Sequence, residues 1–314
     1  MSKKLLRSIA ITAVFAGGYF ATDAITEPTV VEASTMVTIN GYQYSKEVVE
    51  TLNLINAERK KMGCDELKIN SKLSKSAEAH AKYLTTNVKG ASHDETKGKA
   101  GFTGADHGER AKSAGYTLTE YDGETHNGES ITYGTGLTPA KVVSLTIQGV
   151  YHRDTILNPD FDTIGIGIDG GAYVFVTDNS DFSQTRGLNT YPYNGQTDVP
   201  TTFSMNEKPN PLAGYGVTKA GYIVSGMPSQ PESLSSDIYI FITDSKGNNV
   251  PVLEKDNISS VANAGNFVIP KEPLKEDETY TVTMNYLLRG TKEKATDTWS
   301  FTTAKSGTSV LTPT

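Results

Sequence analysis

Apolar positions in the first half of the chain recur at helical spacing. Val48, Val49, Leu52 and Ile55 share one face, and Gly63 stops the run. A second stripe, Leu73, Ala77, His80, Ala81 and Leu84, predicts a helix over about 72–88. Asp106 and Glu109 form a capping-box-like pair that opens a short third helix, ended by Gly115. Thr138 followed by Pro139 reads as an N-cap with a favoured first-turn proline. The helix it starts carries Val142, Val143 and Ile147 and fades at Gly149. The period then changes. Residues 164–168 and 172–177 flank Asp169-Gly170-Gly171, a hairpin with a glycine-rich turn. These elements predict an α/β domain over residues 34–182.

Residues 183–204 are rich in Thr, Asn, Gly, Gln and Pro without helical period, and read as a linker. Beyond them the pattern is strand-like. Apolar alternation over 222–227, 237–243, 266–269, 279–287 and 296–303 predicts an all-β immunoglobulin-like sandwich over 205–304. Residues 305–314 have neither a hydrophobic segment nor a basic cluster and read as a disordered tail.

The N-terminus changes the picture of where the protein works. Lys3, Lys4 and Arg7 precede an apolar stretch from Ile9 to Ala21, and Val31-Glu32-Ala33 is a small-residue cleavage site. In that order they read as a secretory signal peptide, residues 1–33. The apolar stretch is too short to span about 30 Å of hydrocarbon, so no transmembrane anchor is expected. A secreted, extracellular protein follows, either released or loosely associated with the cell wall by binding alone. The net charge of −7 gives no electrostatic footprint for nucleic acid. Cys64 is the sole cysteine, which excludes an internal disulfide.

The chemical inventory is small. There is no G-x-S-x-G, HExxH, P-loop or CxxC. Cys64 has no neighbouring His to activate it. His80, on the apolar face of its helix, reads as a core or cleft-edge histidine making one hydrogen bond. His107 falls at the first position of a capped helix and reads as solvated, and His126 lies in a polar loop.

His93, Glu129 and His152 stand apart by their company: Ser92-His93, Asn127-Gly128-Glu129-Ser130-Ile131 and Tyr151-His152-Arg153-Asp154-Thr155-Ile156-Leu157-Asn158-Pro159. With the segments Gly108–Tyr116 and Phe161–Gly167, these motifs resemble the bacterial branch of the CAP superfamily over about residues 46–181. That superfamily groups cysteine-rich secretory proteins, antigen 5 and plant pathogenesis-related proteins. The C-terminal part, ending Thr298-Trp299-Ser300-Phe301-Thr302-Thr303, is similar to bacterial Ig-like accessory domains.

The resemblance implies an α-β-α sandwich with a polar cleft, followed by the Ig-like sandwich. The family's cleft carries two His and usually two acids, and some members bind a divalent metal there. His93 and His152 match the two histidines and Glu129 one acid. Residues 138–153 contain no acid, so the second acid has no counterpart there. Two imidazoles and a carboxylate suit Zn²⁺ with one position open for water. The leading expectation is an extracellular binding protein whose cleft takes a small ligand, lipid or cell-wall component. The β-sandwich then acts as spacer or docking module. The alternative is a metal-dependent hydrolase of peptides or wall polymer.

Overall fold

The computed structural model describes residues 36–121, 124–125, 127–180, 188–203, 207–228, 238–253, 266–287 and 293–305. The expected signal peptide, His126, the start of the expected linker and the tail from 306 on lie outside them. A hairpin comes first, β1 (Met36–Ile39) and β2 (Tyr42–Ser45). Its turn is Asn40-Gly41, left-handed at φ 50° and 79°, the geometry a two-residue hairpin turn needs.

Ser45 caps α1 (Lys46–Lys61) by accepting from the Val48 amide, and the helix buries Val48, Leu52 and Ile55. After β3 (Lys68–Ile69), Asn70 caps α2 (Ser71–Tyr83), which continues as a π-helical turn over Leu84–Val88. The Asp106 side chain accepts from the Glu109 amide and opens α3 (His107–Ser113). The short pair β4 (Glu120–Tyr121) and β5 (Glu124–Thr125) precedes β6 (Asn127–Tyr133). The helix expected from Thr138 is α4 (Pro139–Gln148), which ends at Gly149 as expected; a further helix, α5 (Val150–Leu157), follows it, and Gly149 between them is extended with a ψ of 127°. β7 (Thr163–Asp169) and β8 (Ala172–Asp178) form the expected hairpin.

The sheet order is β3-β7-β8-β6, with β3 parallel to β7 and the other pairs antiparallel. Both faces are covered, so β8 is buried along its whole length. Ala172, Val174 and Val176 pack with Leu73, Ala77 and Ala111 of α2 and α3. Tyr173 and Phe175 point the other way, into a core with Val48 and Ile55 of α1, Val142 and Ile147 of α4, and Ile156 of α5. This is the expected α-β-α layering. α2 sits flush on β7 because the strand offers glycines there. A Cβ at Gly165 would lie 2.2 Å from the Leu73 carbonyl carbon, and one at Gly167 2.1 Å from that of Ala77.

The C-terminal strands are β9 (Leu188–Tyr191), β10 (Gln196–Val199), β11 (Thr202–Phe203), β12 (Ala220–Gly221), β13 (Val224–Pro228), β14 (Tyr239–Thr243), β15 (Asn266–Val268), β16 (Thr279–Leu287) and β17 (Lys294–Thr303). They make a three-stranded sheet β15-β13-β9, a four-stranded sheet β10-β17-β16-β14 and the pair β11-β12. β10 runs parallel to β17. Residues 188–203, inside the expected linker, therefore supply β9, β10 and β11. Their polar composition hides an alternation in which Tyr191 and Val199 are buried in the core.

The described residues from Met36 on fall into one compact unit. α5 is the joint. The Arg153 guanidinium is fully buried and donates to the carbonyls of Ile147 and Ile223, to Ser225 Oγ and to the Tyr222 hydroxyl. It also lies 4.5 Å from the centroid of the Tyr191 ring, a cation–π contact. Beside it Val150 clusters with Phe203, Leu212, Ile223 and Ile269, and Tyr151 meets Phe267 edge-on.

Candidate functional site

β6 is an end strand of its sheet and carries Glu129 at its third position. Alternation puts Asn127, Glu129 and Ile131 on one side, the side where Ile131 packs with Ala111 of α3. α3 carries Arg110 into the same place, fully buried. Arg110 Nη2 donates to both Glu129 oxygens, at 2.8 and 2.7 Å. His93 Nδ1 lies 2.9 Å from Glu129 Oε1. The Glu129 side chain is 1% exposed and the His93 side chain 53%. A buried, paired carboxylate thus holds an imidazole that faces solvent.

A carboxylate can only accept here, so His93 Nδ1 carries a proton and the neutral ring presents Nε2 as an acceptor. Burial pushes the Glu129 carboxyl up. The hydrogen bond from His93 and the charges of Arg110 and His80 outweigh it and hold the group below its ordinary value. Glu129 therefore remains ionised, with both oxygens in use. That suits an orienting group rather than a base.

The loop that bears His93 is pinned from beneath. His80 on α2 is fully buried, with Nε2 2.8 Å from the Ser92 carbonyl and Nδ1 2.9 Å from Glu95 Oε1. Glu95 Oε2 accepts from the Thr103 amide, and the Tyr83 hydroxyl accepts from the Thr96 amide. Arg110 Nη1 donates to the His93 carbonyl at 2.9 Å. His80 is thus the core histidine expected, but with two partners that fix the neighbour of His93. His107, expected to be solvated, instead has its Nε2 on Asn127 Oδ1.

His152 has different company. Its Nδ1 lies 2.8 Å from Glu207 Oε1. The same oxygen accepts from the amides of Tyr151 and His152, and Oε2 accepts from that of Val150. Glu207 is thus a side-chain cap for α5, whose N-cap residue Gly149 has no side chain to serve. A Cβ at Gly149 would sit 2.5 Å from Glu207 Oε1, so this approach requires glycine. A carboxylate absent from residues 138–153 comes instead from the C-terminal half.

Of the expected trio, His93 and Glu129 meet, and His152, on α5, pairs with Glu207. That helix packs on the opposite side of β6, where a Cβ at Gly128 would meet Thr155. Among the described residues no three His, Cys, Asp or Glu side chains gather as a set able to hold a metal ion. Glu129 has both oxygens committed to Arg110 and His93, so in this arrangement it is an orienting partner of the His93 ring and not a free ligand for the Zn²⁺ centre expected from His93, Glu129 and His152.

Another acid on α5 is perturbed. Burial pushes the Asp154 carboxyl up to about 7. It accepts from Asn158 Nδ2 at 3.2 Å, and no cation pairs with it among the described residues. Sequence reasoning missed Arg110, Glu95 and Glu207. Arg110 lies within the Gly108–Tyr116 motif, Glu95 two residues past His93, and Glu207 carries no local signal.

Residues 52–178 match the CAP family, described as the cysteine-rich secretory protein family. A Bacillus subtilis (strain 168) protein described as "Uncharacterized protein YkwD" is 35% identical over 126 residues, which cover 40% of this chain and 42% of that protein. The chain thus spans less than half the length of this curated relative. Among solved structures, an extracellular SCP-domain protein from Bacillus anthracis str. Ames is 18% identical at a TM-score of 0.36, covering 42% of this chain and 40% of its own. A cysteine-rich secretory protein from Staphylococcus aureus subsp. aureus Mu50 is 15% identical at 0.34, with 44% and 41% covered. An outer surface protein from Borrelia burgdorferi is 20% identical at 0.32, with 46% and 95% covered. These structural likenesses are loose and carry no part of the assignment.

Proposed function

We propose that the CAP domain formed by residues 52–178 is the ligand-binding part of a secreted protein, with the His93–Glu129 edge of β6 as its binding surface. The observation that carries this reading is the exposed His93 ring tied at Nδ1 to a buried, Arg110-paired carboxylate. Such a ring offers one oriented acceptor, Nε2, to a hydroxyl, amide or acid proton of a small ligand, lipid headgroup or wall fragment. His152, 15% exposed and held by Glu207, is a second polar position at the joint with the C-terminal strands. Export is supported by the order of charge, apolar stretch and small-residue site in residues 1–33. Among the described residues no helix is long and apolar enough to cross a membrane.

The C-terminal sheets are read as an immunoglobulin-like sandwich. The orders β9-β13-β15 and β17-β16-β14 follow those of the A-B-E and G-F-C strands of that fold. The burial around Arg153 and Val150 of α5 supports reading this unit as docked on the first domain and not as a spacer on a free linker.

A hydrolytic reading is favoured by the same pair. A carboxylate-held imidazole has the geometry of a general base. His93 Nε2 then takes a proton from a water attacking a peptide or wall-polymer bond and returns it to the leaving group. The test is retention on isolated cell wall by the full chain and by a folded His93→Ala/His152→Ala variant. The binding reading expects the variant to be released. Equal retention contradicts the cleft as the binding surface, and wall fragments released only by the parent protein favour hydrolysis.

A further inference from the structure

We propose that the outer face of the sheet β10-β17-β16-β14 is a platform for an uncharged polysaccharide chain, with Tyr239 and Phe241 as its stacking residues. This site lies in the C-terminal strands and does not depend on the His93 edge.

Tyr239 is 60% exposed and Phe241 49%, although Ile240 and Ile242 between and beyond them are buried at 8% and 1%. The strand is therefore well seated, and the two rings stand on its outer face by alternation. Two residues along a strand separate them by about 6.8 Å. β14 is an end strand of the sheet, so the rings lie along a margin.

The residues beside them decide what could cover the face. Tyr239 is opposite Asn285, which is opposite Thr296; Phe241 is opposite Thr283, which is opposite Thr298. Each row runs from an aromatic ring to neutral hydrogen-bonding groups and carries no charge. Thr296 Oγ1 donates to Asn285 Oδ1 at 2.8 Å, which leaves the Asn285 amide nitrogen as a donor. Further along, Thr279 and Thr302 join hydroxyls at 2.9 Å. A shallow depression of about 560 Å³ adjoins Tyr239 and is lined by Asn285, Tyr286, Leu287, Lys294 and Thr296. That volume is within the range of small-ligand sites, roughly 300–1,000 Å³.

An apolar protein partner would strip water from the threonines and Asn285 without replacing it. Lys294 is the one cation among the described residues that line the depression, and a nucleic acid or acidic polymer needs more positive charge than that. A neutral sugar chain meets both halves of the face. Its C–H surfaces pack on the electron-rich ring faces, and its hydroxyls and amides bond to the neutral ladder.

The test is calorimetric titration of the full chain with cellohexaose and with the hexamer of N-acetylglucosamine. The wild type is expected to bind at least one hexamer saturably, with little change in high salt. Tyr239→Ala/Phe241→Ala, shown by its melting curve to be folded, should bind about tenfold or more weakly. Tyr239→Phe, which keeps the ring, should bind as the wild type does. The proposal is overturned if neither hexamer binds at millimolar concentration or if the aromatic double variant binds equally well. It is also overturned if that variant instead converts a dimer to a monomer in sedimentation, which would make the face a self-association surface.

Discussion

The Glu207 carboxylate reaches back to His152, 2.8 Å from its Nδ1, and the same side chain accepts from three amides at the start of α5. The two residues are 55 positions apart, so the C-terminal half of the chain completes a helix of the CAP domain. A carboxylate in this place also meets the positive end of the helix dipole.

Glu207→Ala leaves those amides and the His152 ring without their acceptor. An expected loss of about 3 kcal/mol follows from a missing cap and charged hydrogen bonds. Glu207→Gln, which keeps an accepting oxygen, should recover part of it. Urea unfolding measures both, and an alanine variant as stable as the parent would contradict the assignment.

Asp154 gives a pH dependence of definite sign. Its folded value is raised by burial to about 7 from 3.8, so the folded protein favours the protonated form. Stability from this group is full below the unfolded value and is lost as pH rises towards 7. Asp154→Asn should match the parent near pH 3.5 and exceed it at pH 8, by up to about 4 kcal/mol at 1.36 kcal/mol per unit. Equal stability of the two proteins at pH 8 would show that the carboxylate is compensated.

Glu129 behaves in the opposite sense. Its folded value is lowered, so its contribution is present above the unfolded value, about 4.3, and is lost as pH falls through the lower folded one. Arg110→Met strands this carboxylate in the interior and should cost about 3–5 kcal/mol at neutral pH. The deficit should shrink in acid, where Glu129 protonates. Denaturation at pH 7 and pH 3 makes the comparison.

Gly167→Ala forces a methyl group towards the Ala77 carbonyl carbon, 2.1 Å from the ideal Cβ, and backbone cannot rotate aside. The expected cost is about 3 kcal/mol or more, at the upper end of overpacking. A melting temperature within a degree or so of the parent would mean that α2 is not seated on β7 as described.

The parts that could be read from the chain are those whose signal is local. α1, α2 and α3 follow from apolar stripes and from the cap at Asp106, and β7–β8 from alternation around Gly170-Gly171. The cap at Asn70 and the β1–β2 hairpin with its Asn40-Gly41 turn were not read, although both signals are local. β6 was not legible, because Asn127-Gly128-Glu129-Ser130 is polar where the strand edges the site, and only Ser130 and Ile131 of the strand are buried. α4 ends at Gly149 as its pattern predicts, whereas α5 was not legible, because its start is capped by the Glu207 carboxylate, a contact no local pattern encodes. Arg110 was hidden for a related reason. A charge on a capped helix reads as solvated until a distant strand brings Glu129 beneath it.

Central to the account is the His93 ring, fixed at Nδ1 by a buried carboxylate so that Nε2 is left as the acceptor of an exposed ring. Nitrogen-15 NMR of the imidazole at a pH where the ring is neutral reads this directly. The account predicts the tautomer with the proton on Nδ1, shifting towards the usual mixture in Glu129→Gln. A neutral ring protonated on Nε2, unchanged by that substitution, would contradict it.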